Sequence, residues 1–286
     1  MPYFNIVAET SENTVVTEYE PVKKRSDSYQ SEVALEQEFI RLLCEQGYEY
    51  LPIHTEKDLI ANLRKKLEEL NNYQFSDTEW DDFFKNAVAN PNEHIVEKTR
   101  KIQEDNVQVL TRDDGSSKNI TLIDKKNIHN NRLQVINQYK VNAATGIREG
   151  SLGCVIGTEN GAKHDNRYDV TILVNGLPLV HIELKCRGVA IREAFNQINR
   201  YQRDSFWAGC GLYEYIQIFV ISNGTNTKYY SNSTRRNAEK EHEKRGASKT
   251  KTSNSFEFTC FWADANNRVI PDLIDFTKTF FAKHTI

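Results

Sequence analysis

Methionine appears only at position 1 of this 286-residue chain, and proline only six times. So little proline rules out a long proline-rich linker. No apolar stretch approaches the roughly 20 residues that a membrane helix needs. The N-terminus, MPYFNIVAETSENTVV, lacks a basic start followed by an apolar run, so no secretory signal is visible. The five cysteines (Cys44, Cys154, Cys186, Cys210 and Cys260) are odd in number, widely spaced and form no CxxC pair. That favours reduced thiols in a cytoplasmic protein over a disulfide frame or a zinc site. A net charge of −3 gives no global attraction to polyanions, so contact with nucleic acid must rest on local basic patches. The phosphate-binding loop GxxxxGK[ST] is absent as well, which argues against an ATP-driven motor within these residues.

What is present is ordered by hydrophobic period. Residues 1–27 are polar, lack a helical period and read as an extended or loosely attached segment. A helical region, 28–105, follows. Leu35, Phe39, Leu42 and Leu43 form one stripe ended by Gly47, and Leu59, Leu63, Leu67 and Leu70 form a second. Ser76 and Glu79 open a third helix as a capping box, burying Trp80, Phe83 and Phe84. Asn90-Pro91 precedes a fourth helix ending near Gln103. The period then changes to two. Val107–Thr111 and Ile120–Ile123 flank Asp113-Asp114-Gly115 as a hairpin, and Leu133–Tyr139 is a further strand. The glycine-rich residues 142–166 read as a surface loop. Beyond them come a helix over Val189–Arg203 and a strand over Tyr215–Ile221, a spacing that suits a parallel crossover. Residues 235–251 read as an exposed basic loop, Phe256–Trp262 as a late strand and Pro271–Lys283 as a last helix.

The stretch NRYDVTILVNGLPLVHIELK, residues 166–185, reads as two strands joined at Asn175-Gly176. A two-residue turn mixes polar and apolar side chains on both faces. A three-residue loop over 175–177 instead gathers Val170, Ile172, Val174, Val180, Ile182 and Leu184 on one face, and Asp169, Thr171, His181, Glu183 and Lys185 on the other. One buried face specifies register strongly, so the second pairing is expected. It sets Asp169 opposite Glu183, with Cβ atoms roughly 4.5–5.5 Å apart. Opposed carboxylates repel unless a cation lies between them, and hard Mg²⁺, which takes carboxylate oxygens and water, is a natural one. Lys185, on the same face, is placed to hold a water or a phosphate oxygen. The alternative is a polar sheet face on which Lys185 simply neutralises the two acids.

Asp169 followed by Glu183-Leu184-Lys185 on paired strands resembles the PD-(D/E)xK nuclease signature, with Tyr168 where that family usually has proline. Gln197 and Tyr201, four apart in IREAFNQINRYQR, resemble the QxxxY motif of its RecB-like branch; taken alone they are equally well explained as boundary packing. More specifically, NRYDVTILVNGLPLVHIELK, RGVAIREAFNQINRY and FVISNGT resemble the N-terminal nuclease domain of type I restriction enzyme R (HsdR) subunits, IC-type enzymes in particular. The likeness extends through DSYQSEVALEQEFIRLLCEQGYE, NPNEHIVEKTRKI and IDKKN, and so covers most of the chain. The 142–166 loop is longer and richer in glycine than the resemblance suggests.

This resemblance implies an α/β, restriction-endonuclease-like mixed sheet flanked by helices, with a core over 106–262 and a C-terminal helix, 263–286, leading toward a helicase-like motor. The end at Ile286 then reads as a truncation, and ATP belongs to the motor. The implied activity is Mg²⁺-dependent cleavage of double-stranded DNA, largely without sequence preference, in a complex with M (methyltransferase) and S (specificity) subunits. Asp169, Glu183 and the Leu184 carbonyl would hold Mg²⁺, with Glu36 of the first helix as a further candidate. Glu32 lies one turn before Glu36, and acids there also suit the helix dipole. Lys185 would orient the attacking water or stabilise the transition state, and Gln197 and Tyr201 would support the site. Arg187, Arg192, Arg200 and Arg203 are candidate phosphate contacts, alternatively solvated charges. A non-catalytic DNA-docking or subunit-assembly module of the same fold is the main rival; a complete Asp–Glu–Lys set argues against it.

Overall fold

The computed structural model describes residues 5–9, 15–18, 30–141, 165–233, 254–283 and 285. The basic loop expected over 235–251 lies outside them, as do residues 142–164 of the glycine-rich loop. Two compact units are present. Met1–Tyr48, Ile182–Gln197 and Ile218–Ile286 contribute their described residues to the first, and Glu49–His181 and Ile198–Gln217 to the second.

In the first unit, helix α1 (Glu32–Glu45) begins where Ser31 accepts a hydrogen bond from the Ala34 amide. Its stripe of Leu35, Phe39, Leu42 and Leu43 is buried. The helix Leu273–Phe280 is packed beside it. Phe39 meets Phe281 edge-on at 5.6 Å, and Gln46 and Tyr48 donate to the Thr277 and Phe281 carbonyls. The N-terminal segment contributes an antiparallel pair, β1 (Asn5–Glu9) and β2 (Val15–Glu18).

The second unit holds β3 (Glu49–Tyr50), α2 (Glu56–Asn71) and α3 (Asp77–Phe83). The capping box expected at Ser76 and Glu79 is formed, and the helix runs on into a π turn over Phe84–Val88. The next elements are α4 (Ile95–Gln103), the hairpin β4 (Val107–Thr111) and β5 (Ser117–Thr121), β6 (Leu133–Val141) and β7 (Asn166–Val174). Leu59, Leu63 and Leu67 are fully buried along α2, each worth roughly 1.5–3 kcal/mol over an exposed side chain.

Six strands form one mixed sheet in the order β10-β9-β8-β7-β6-β3, where β8 is Leu177–Leu184, β9 Ile218–Ser222 and β10 Thr227–Ser231. β6 pairs antiparallel with β7 and parallel with β3. The Gln217 amide donates to Leu179 and the Lys185 amide to Ser222, so β8 and β9 run the same way. The expected crossover is therefore present, through helix α5 (Ile191–Asp204).

Three strand expectations need correction, the first being that the second strand of the β4–β5 hairpin is Ser117–Thr121 and not Ile120–Ile123. Phe256–Trp262 is a 3-10 turn over Asn254–Phe258 followed by a single bridge from Cys260 to Tyr229. Its aromatic content reflects packing, since Phe256 meets Phe195 at 5.4 Å and Lys228 at 5.0 Å. The strand expected over Tyr215–Ile221 begins at Ile218, because Leu212–Tyr215 is a 3-10 turn.

Candidate active site

The β7–β8 turn differs from the expected three-residue loop. β7 ends at Val174 and β8 begins at Leu177, with Asn175 and Gly176 both at positive φ, 51° and 85°. Two positive φ values mark the two-residue turn whose twist matches the flanking strands. It is also buried. Asn175 accepts from the Arg132 amide and donates to the Leu122 carbonyl and to Asn131, while a Cβ on Gly176 would lie 2.6 Å from the Leu63 Cα. The premise of one polar face fails too: Thr171, His181 and Glu183 are all buried, as befits a central strand covered on both sides. The register argument that set Asp169 opposite Glu183 therefore falls away.

A different feature singles out Asp169, which is half-buried on β7. The ladder pairs Asn137 with Val170 and Tyr139 with Tyr168, leaving Gln138 across from Asp169. Gln138 has φ 53°, a left-handed conformation that costs a side-chain-bearing residue roughly 1–2 kcal/mol. Residues three apart on a regular strand face opposite sides. Yet Tyr168 packs its ring 4.6 Å from Tyr213, while Thr171 is within 3.3 Å of the Tyr213 hydroxyl. The pleat breaks between them, at Asp169 and Val170.

Glu183 and Lys185 belong to the first unit. The Lys185 ammonium donates to Glu183 Oε1 and to the Leu184 carbonyl, at 3.0 Å each, and lies 3.9 Å from Glu32 Oε1. The Glu183 side chain is wholly buried and that of Lys185 is 11% exposed, so this pair is screened far less than a surface ion pair. A cation thus already rests against the carboxylate and the carbonyl expected to ligate metal. Those hard oxygens suit Mg²⁺, which commonly takes one or two carboxylates and keeps several waters. No group of three or more His, Cys, Asp or Glu placed to hold a metal is found among the described residues.

Glu36 is buried on α1, one turn beyond Glu32, the acid nearer in sequence to the helix start. Tyr201 is buried and donates to the Arg167 carbonyl at 2.9 Å; its ring packs against Tyr168, His181 and Phe206. It lies within the second unit. Gln197 is half-buried on α5. Arg187 bonds Gln30 through its Nε and its amide, and Arg192 lies 4.9 Å over the Phe256 ring. Arg200 lies over the Tyr201 ring, and Arg203 is exposed. Sequence reasoning missed Ser205, which accepts a hydrogen bond from Tyr168; its place one helical turn after Tyr201 was the available signal.

Residues 29–238 match the family described as type I restriction enzyme R protein N terminus, and the chain belongs to that family. Among curated proteins it is similar to the type I restriction enzyme EcoprrI endonuclease subunit of Escherichia coli. The two are 46% identical over 281 residues, 98% of this chain and 79% of the relative. It is also 35% identical over 257 residues to the SsaAORF53P endonuclease subunit of Staphylococcus saprophyticus, and 34% identical over 258 to the SauMSSORF170P subunit of Staphylococcus aureus. Each staphylococcal alignment covers 88% of this chain but 23% of the relative, so the chain spans under a quarter of their length. No helix among the described residues is long and apolar enough to cross a membrane.

Proposed function

We propose that this chain is the DNA-cleaving part of a type I restriction enzyme R subunit, hydrolysing phosphodiester bonds of double-stranded DNA with little sequence preference. The observation that carries the reading is the Lys185 ammonium seated against Glu183 and the Leu184 carbonyl, in a chain of the R protein N-terminal family. In this account Asp169, Glu183 and the Leu184 carbonyl hold Mg²⁺, with Glu36 a further candidate. Mg²⁺, when bound, supplies Lewis acidity toward the phosphate and acidifies a nearby water.

The protein's own groups do the rest. Glu183, in its buried setting, gives the cation a ligand little weakened by solvent. Lys185, released from Glu183, carries its positive charge toward the phosphate, where it orients the attacking water and offsets charge developing in the transition state. Tyr201, with Gln197, supports the strand that carries Asp169. Arg187, Arg192, Arg200 and Arg203 contact DNA phosphates. ATP-driven translocation belongs to the remainder of a longer subunit, and target choice to M and S subunits in a cytoplasmic complex.

The test is cleavage by the reconstituted complex. Asp169→Ala, Glu183→Ala and Lys185→Ala should each abolish cutting while ATP-dependent translocation survives. A variant that cuts at the wild-type rate removes its residue from the assignment. Loss of assembly or DNA docking in all three, with cutting per assembled complex unchanged, would favour the docking-module alternative.

A further inference from the structure

We propose that Tyr168 and Ser205 are positioning residues that set the direction of the Asp169 carboxylate; this rests on the metal-dependent reading above. Asp169 sits at a break in the pleat, opposite a left-handed Gln138. The ladder pairs Tyr168 with Tyr139 and Val170 with Asn137 on either side of it, and groups outside the sheet hold this stretch as well. Three are in place within the second unit, and they bracket Asp169. The Arg167 carbonyl accepts from the Tyr201 hydroxyl at 2.9 Å. The Tyr168 hydroxyl donates to Ser205 Oγ at 2.7 Å, and Ser205 Oγ donates in turn to the Tyr201 carbonyl at 3.4 Å. Thr171 shares a contact of 3.3 Å with the Tyr213 hydroxyl.

The Tyr168–Ser205 bond is the most enclosed of these. Tyr168 is wholly buried, and its ring lies within 5.5 Å of the rings of Tyr201, Phe206, Tyr213 and His181. Ser205 is 2% exposed and is fixed by its own amide, which donates to the Tyr201 carbonyl at 2.8 Å. The two-bond chain thus ties the residue before Asp169 to the end of α5 in a setting that water does not loosen. A strand free to rotate there would swing the Asp169 carboxylate away from a fixed ligand position, and affinity for a small, geometrically demanding ion falls first.

The experiment titrates the whole chain with Mn²⁺ alone by calorimetry, beside a urea unfolding curve for each protein. Tyr168→Phe keeps the ring and removes one hydroxyl; Ser205→Ala removes its partner. Each should raise the Mn²⁺ dissociation constant by roughly 3–10-fold, the worth of one buried hydrogen bond. The double variant should be no weaker than the weaker single one, because both break the same link. Gly115→Ala, a change in the β4–β5 turn with nothing within 4 Å of the new Cβ, should reduce stability and leave Mn²⁺ affinity unchanged. Folded Tyr168→Phe and Ser205→Ala proteins with wild-type Mn²⁺ affinity would overturn the positioning role alone. A wild-type chain that does not bind Mn²⁺ would overturn this role and the metal-dependent reading together.

Discussion

Replacing Gly176 with alanine tests the buried turn that joins the two strands of the candidate site. Two separable costs follow from the geometry. Gly176 has φ 85°, where an L side chain is strained by roughly 1–2 kcal/mol. Its new Cβ would also stand 2.6 Å from the Cα, 3.1 Å from the amide nitrogen and 3.2 Å from the Cβ of Leu63. Leu63 is wholly buried on α2, so the helix backbone must shift, and overpacking of this kind costs roughly 1–3 kcal/mol. The total, about 2–5 kcal/mol, is a large share of the roughly 5–15 kcal/mol that holds a domain together. Gly115→Ala supplies the control, since Gly115 has φ 80° but nothing within 4 Å of its Cβ position. Urea unfolding of both variants separates the terms: Gly176→Ala should lose about 1–3 kcal/mol more than Gly115→Ala. Equal losses would refute the close approach of the turn to α2.

Three further outcomes are expected. Lys185→Met removes the ammonium from the Glu183 and Leu184 oxygens, so cleavage should be lost while calorimetric Mn²⁺ affinity stays at or above the wild-type level; a tenfold weaker affinity would mean that Lys185 helps to build the metal site. Tyr201→Phe deletes the bond to the Arg167 carbonyl and should cost about 1 kcal/mol in urea unfolding, whereas Tyr201→Ala empties a buried ring site and should cost about 3–5 kcal/mol; similar losses would place the ring outside the core. Glu79 is held below the ordinary carboxylate range by the Tyr73 hydroxyl first, then by the Ser76 and Asp113 amides, against the opposing effect of burial. Its stabilisation is therefore complete above the unfolded pKa of about 4.3 and is lost as pH falls through the lower folded value. Glu79→Gln should flatten the acid limb of the stability–pH curve, and an unchanged limb would contradict that assignment.

The helices were legible because their apolar stripes and caps are local. Leu35, Phe39, Leu42 and Leu43, or the Ser76–Glu79 box, need no partner element to be recognised. The hairpin was legible as a pair of strands but not in its register. The alternation argument assumed one solvated face, and burial of Thr171, His181 and Glu183 removes that assumption. The pleat break at Asp169 had no sequence signal at all, since it shows only where Tyr213, distant in the chain, touches both Tyr168 and Thr171. β10, TKYYS, went unnoticed because its buried residues, Thr227 and Tyr230, do not alternate along the strand, and β3 is only two residues long. Phe256–Trp262 misled in the other direction: its aromatics pack against Phe195 and Lys228 without forming a strand. At the candidate site, Glu183-Leu184-Lys185 was visible as a triplet, while the choice of oxygens by the Lys185 ammonium depended on the fold.

The central claim is that a divalent ion takes the place now held by the Lys185 ammonium. Crystals of the chain soaked in Mn²⁺, with anomalous scattering recorded, test it most directly. The account predicts an anomalous peak beside a Glu183 carboxylate oxygen, the Leu184 carbonyl and an Asp169 oxygen, with the Lys185 ammonium withdrawn from Glu183. A soaked crystal in which Lys185 still bonds Glu183, and Mn²⁺ binds only elsewhere, would contradict it.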